Sequence, residues 1–167
     1  MKRGAKNLTA VPPESPAKQL AGFIARFDPS IAKLVRAARA ILRKRFFPTA
    51  VELVYDNYNA LAVAFGPTER ASDAIVSLAV YARGVNLYFI YGAKLSDPQH
   101  LLQGSGNQGR FIRLDDLALF DRPAVKALLR AAIRAAIKDG RPPLTAMGRG
   151  YTLIKFVSAK QRPRRPV

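Results

Sequence analysis

Between Val51 and Tyr91 the chain carries four runs of apolar, β-branched and aromatic residues, at 51–55, 60–65, 74–81 and 85–91. No gap between them is long enough for a helix. Parallel neighbours need a crossover of a dozen or more residues, so this spacing predicts an antiparallel meander. Arg83-Gly84, between the last two runs, is tight enough for a hairpin, and the second and third runs are apolar enough to be central strands. A fifth strand is expected at 110–114, where Arg110, Ile112 and Leu114 alternate with Phe111 and Arg113, leaving one face partly wet. Residues 148–157 are a further strand candidate.

Helical periodicity flanks this segment. Ser15 is a natural N-cap before Pro16, opening a short helix with Leu20, Phe23, Ile24 and Phe27 on one face, and Asp28-Pro29 stops it. A second helix is expected from about Ser30 to Phe46. At 100° per residue Ile31, Leu34, Val35, Ala38, Ile41 and Leu42 share a core-facing sector, while Lys33, Arg36, Arg39, Arg43 and Lys44 share the opposite one. No carboxylate lies within that row, which reads either as a solvated back face or as an anion-binding ridge. The last helix starts at Asp121 and Pro123 and ends at Gly140 before Pro142-Pro143. Its apolar face is Val125, Leu128, Leu129, Ala132, Ile133 and Ala136, and Lys126, Arg130, Arg134 and Lys138 recur every four residues. In an isolated helix such a stripe costs about 0.2–0.5 kcal/mol per like-charge pair, which packing must outweigh.

Gly104-Ser105-Gly106-Asn107-Gln108-Gly109 fits the spacing of a dinucleotide fingerprint. The fingerprint works only between a buried strand and a helix that opens on the glycines. Here Asp97-Pro98-Gln99-His100 upstream reads as a capped helical turn and residues 110–114 downstream as extended, so a plain connection is expected, with a phosphate nest of loop amides as the alternative. His100, the lone histidine and the obvious general-base candidate, sits in that turn without a sequence-local acid and nucleophile arrangement. Tyr55, Tyr58, Tyr81, Tyr88 and Tyr91 could line a pocket above the sheet or pack in the core and at its edges.

With no cysteine and one histidine, thiolate catalysis, zinc fingers and Fe–S ligation by this chain are excluded, and a metal would need oxygen ligands. The length fits one domain. The basic N-terminus lacks an apolar run behind it and no segment approaches a bilayer span, so a cytoplasmic location without membrane contact is expected. The net charge of +17 is unevenly spread: residues 50–121 hold five basic residues against eight acids, and the excess lies in the flanks. Such a field favours an acidic macromolecule, nucleic acid among the candidates. Residues 1–14 are expected to lack fixed structure, and the tail Lys160-Gln161-Arg162-Pro163-Arg164-Arg165-Pro166 to stay extended and solvated.

The order helix, helix, four strands, glycine loop, strand, helix resembles the YdhG-like family of small bacterial domains of unknown function. The residues that carry it are Val51-Glu52-Leu53-Val54-Tyr55, Gly92-Ala93-Lys94-Leu95, Asp97-Pro98, Leu101-Leu102-Gln103-Gly104-Ser105-Gly106, Arg110-Phe111-Ile112-Arg113 and Leu128-Leu129-Arg130-Ala131-Ala132. The resemblance implies an α+β sandwich, an antiparallel sheet of about five strands with the terminal helices packed on one face. It divides the chain into an arm at 1–14, the domain at 15–140 and a basic extension at 141–167. One branch of that family is described as frataxin-like iron chaperones, a role that needs clustered hard oxygen ligands. This chain scatters its acids, and Asp115-Asp116, its only adjacent pair, reads first as turn and helix-entry residues. The expectation is therefore a non-enzymatic binding domain without cofactor, metal ligands or catalytic residues. Its anion-binding set is Lys33, Arg36, Arg39, Arg43, Arg130, Arg134, Lys160, Arg162, Arg164 and Arg165. Ferrous-iron delivery is the alternative.

Overall fold

The computed structural model describes residues 13–167, so all but the last two residues of the expected N-terminal arm lie outside it. Helix α1 (Pro16–Ala25) starts as its sequence requires: the Ser15 hydroxyl accepts from the Lys18 N–H at 3.2 Å and Pro16 occupies the first turn. Helix α2 (Pro29–Ile41) buries Ala32, Val35 and Ala38, and runs into one wide turn at Leu42–Phe46, closed by the Phe47 N–H on the Leu42 carbonyl at 2.8 Å. Phe46 and Phe47, consecutive in the chain, are both buried.

The meander follows. Strands β1 (Val51–Asp56), β2 (Leu61–Gly66), β3 (Val76–Tyr81) and β4 (Gly84–Phe89) pair antiparallel in sequence order, with a two-residue turn, Ala82-Arg83, closing the last hairpin. Strand β5 (Arg110–Leu114) adds to β4, and helix α3 (Pro123–Lys138) comes after it.

The expected sheet of about five antiparallel strands needs correction. It has six strands in the order β5-β4-β3-β2-β1-β6, and β6 (Thr152–Val157) runs parallel to β1. The direction follows from connectivity. Strand β5 runs the same way as β1, and α3 carries the chain back to the opposite end of the sheet, where its Ala132, Ala135 and Asp139 meet Ile75 and Phe89. A strand begun there must run alongside β1, as helical crossovers dictate. Close backbone approach seats the return: a Cβ on Gly150 would lie 2.6 Å from the Ala50 carbonyl oxygen. β2 and β3 are the central pair, as their composition predicts.

One continuous core joins the helices to a single face of the sheet. It holds Leu20, Ile24, Val35 and Leu42, then Val54, Val63, Leu78 and Leu87 from the strands, and Val125, Leu129 and Ala136 from α3. The other face carries only a small cluster at Val51, Leu53, Ala64 and Ala74.

Candidate functional site

Strand β1 presents Glu52, Val54 and Asp56 to the helix side, two charges in an otherwise apolar row. Both carboxylates are fully buried, at 0% exposure, and both are met by arginine. Glu52 receives Arg39 at 2.6 Å and Arg43 at 2.6 Å. Asp56 receives Arg26 at 2.7 Å and Arg164 at 2.8 Å. An unpaired carboxylate there would be prohibitive, so these contacts tie α1, α2 and the C-terminal segment to β1.

The ten cations singled out from sequence therefore separate. Arg39 and Arg43 do not form a free ridge; a strand carboxylate that the helical periodicity could not see holds them. Arg164 is buried, against the expectation of a solvated tail, and its segment is pinned by the Gln161 amide on the Asp56 carbonyl at 3.0 Å and the Arg162 N–H on the Tyr58 carbonyl at 2.9 Å. Arg165 lies 3.9 Å from Asp28. Lys33, Arg36, Arg130, Arg134, Lys160 and Arg162 are exposed, and none pairs with a carboxylate among the described residues.

The open face of the sheet holds what composition alone did not reveal. Cross-strand register aligns Tyr55, Ala62, Ala79, Asn86 and Arg113 in one row, and Leu53, Ala64, Ser77, Tyr88 and Phe111 in the next. Small residues occupy the middle and tyrosines the flanks, which leaves a trough of about 430 Å³ walled by Tyr55, Tyr81 and Tyr88. Among the described residues no charged side chain lines it. The Tyr55 hydroxyl and Asn86 Oδ1 are enclosed without a hydrogen-bond partner among the described residues, and burial pushes the Tyr55 phenol above its ordinary pKa. Two tyrosines named from sequence are used elsewhere: Arg141 lies 3.8 Å over the Tyr91 ring, and Arg162 lies 5.6 Å over Tyr58.

The trough continues around the end of the sheet where β1, β3 and β5 finish. Tyr81 also lines a cleft of about 370 Å³ with Asn59, Arg83 and Arg162. Arg83 in turn borders a larger one, about 610 Å³, between the start of α2 and the end of β5, with Lys33, Arg113, Asp115 and Asp116 on its walls. The Arg113 guanidinium lies over Gly84, where any side chain would collide with it, and donates to the Arg83 carbonyl at 2.8 Å.

The glycine loop is a connection. Gly104 and Gly106 have φ of +113° and +96°, and Arg110 donates to the carbonyls of Gly109 at 2.7 Å and Gly106 at 3.1 Å, so carbonyl oxygens converge on the chain's own guanidinium. β5 follows it and no helix opens on it. Upstream, the expected helical turn is a non-helical one. The Asp97 carboxylate accepts from the N–H groups of Leu101 and Leu102 at 2.9 and 2.8 Å, and His100 is exposed with φ of 52°. Among the described residues no three His, Asp or Glu side chains gather as a metal site. Among the same residues no helix is long and apolar enough to cross a membrane. No protein-family model, curated protein or solved structure matches the chain.

Proposed function

We propose that this is a non-enzymatic binding domain that holds an acidic macromolecule on its cationic exterior. The observation that carries the reading is the surplus left once the internal pairs are formed. Lys33, Arg36, Arg130, Arg134, Lys160 and Arg162 stay exposed without carboxylate partners among the described residues, on a chain of net charge +17. Each phosphate-like contact releases a condensed counterion, so affinity falls steeply with salt, by about 0.7–0.9 log units per contact for each log unit of salt. The iron-delivery reading suggested by the family resemblance needs grouped oxygen ligands, and no observation favours it.

Retention on an immobilised polyphosphate resin over a salt gradient tests the proposal. The expected result is elution that moves to markedly lower salt in an Arg36→Gln/Arg130→Gln/Arg134→Gln variant. Arg39→Gln, which removes an interior contact, should lower thermal stability more than retention. Elution that ignores the triple substitution would refute the reading.

A further inference from the structure

We propose that the acidic macromolecule is a single-stranded nucleic acid, whose phosphates follow the cations at the end of the sheet while its bases stack on the tyrosines of the open face. This rests on the polyanion reading and goes one step further, from charge to the chemical class of the partner. Three clefts joined through shared residues carry it. Lys33 and Arg83 line the first, where Arg113 is already held by Asp115 at 3.2 Å, Arg83 and Arg162 the second, and Tyr81, with Tyr55 and Tyr88, leads into the third. A row of point charges feeding an uncharged trough with aromatic walls suits a chain that alternates anionic phosphates with flat, neutral rings.

The floor matters as much as the walls. Ala62, Ala64, Ser77 and Ala79 keep the middle of the sheet low, so a planar ring can enter between Tyr81 and Tyr55 without displacing a large side chain. Tyr81 is 41% exposed at the junction of the second and third clefts, where the first base would meet it. The Tyr55 ring forms part of the wall, its hydroxyl being enclosed. A duplex cannot use this surface, because its bases are already stacked and paired. An acidic polypeptide would satisfy the arginines but leave the aromatic trough unfilled.

The test compares four probes on the full chain: oligothymidylate of about 12 nucleotides, a length typical of sheet-based single-strand binders, a duplex of equal length, inorganic polyphosphate and polyglutamate. The chain has no tryptophan, so intrinsic tyrosine fluorescence reports stacking directly. The expected result is quenching by the oligothymidylate alone, and a loss of its affinity of about tenfold to a hundredfold in Tyr81→Ala, with polyphosphate retention unchanged. Ala62→Glu, which places a carboxylate on the floor, should weaken the same probe, and circular dichroism of both variants checks the fold. Equal affinity for duplex or polyglutamate, or an oligothymidylate affinity indifferent to both substitutions, overturns this inference while leaving the polyanion reading standing. Failure of polyphosphate to bind at all overturns that reading instead.

Discussion

Tyr55 shows how one side chain can be read in two directions. Its phenol lies at the wall of the trough, and removal from water disfavours the phenolate, so its folded-state pKa is raised above about 10. The stabilisation linked to it is complete below the unfolded pKa and disappears as pH rises through the folded one. Alkaline titration followed by phenolate absorbance should therefore show a late-ionising fraction, to which Tyr151 also contributes through its hydrogen bond to Glu69 at 2.6 Å. Tyr55→Phe should shrink that fraction; an unchanged profile would contradict the enclosure of this hydroxyl. Glu52 behaves differently. In Glu52→Gln, Arg39 and Arg43, with side chains 25% and 37% exposed, can turn toward water, so chemical denaturation should report a loss of about 1–3 kcal/mol. Neither residue announced its role. The sequence 51–56 reads as a strand, and Glu52 and Asp56 share its alternation, but their arginines lie elsewhere in the chain: Arg39 and Arg43 in a helical run whose periodicity assigns them to the back, Arg26 at the end of α1 and Arg164 in the C-terminal segment.

Among the elements, the helices and the meander were readable from periodicity because each is a local pattern: Ser15 and Pro16 start α1, and the short gaps dictate antiparallel pairing. β6 was visible only as a candidate run, since its place beside β1 depends on where α3 ends. The trough was legible only as one of two uses for the tyrosines, because Tyr55, Ala62, Ala79 and Asn86 become neighbours only once register is set. The segment after β6 is the sharpest departure from expectation. Prolines and charges suggested a free tail, yet Arg164, with a 4% exposed side chain, reaches Asp56. Asp56→Ala leaves that guanidinium buried without its carboxylate, at a cost of about 3–5 kcal/mol. We expect the variant to lose that much in chemical denaturation and to release residues 158–167 to limited trypsin digestion, which the docked wild-type segment should resist. Equal digestion of the two proteins would contradict the docked arrangement.

For the whole molecule, charge is sorted by depth. Two carboxylates inside the fold engage Arg26, Arg39, Arg43 and Arg164, while the outer cations face solvent. Mobile ions act on the two sets unequally, because the Debye length is about 3 Å at 1 M salt and enclosed pairs are screened far less than exposed charges. Raising salt should thus strip a bound polyanion well before it loosens the helices from β1. Circular dichroism melts across the same gradient should show Tm nearly constant while retention collapses; a parallel fall in both would mean that the arginines on Glu52 and Asp56 are not sheltered. Under the proposed polyanion binding, the buried anchoring of β1 would make attachment reversible: a chain rinsed from its partner in brine should be recovered intact, ready to rebind on dilution.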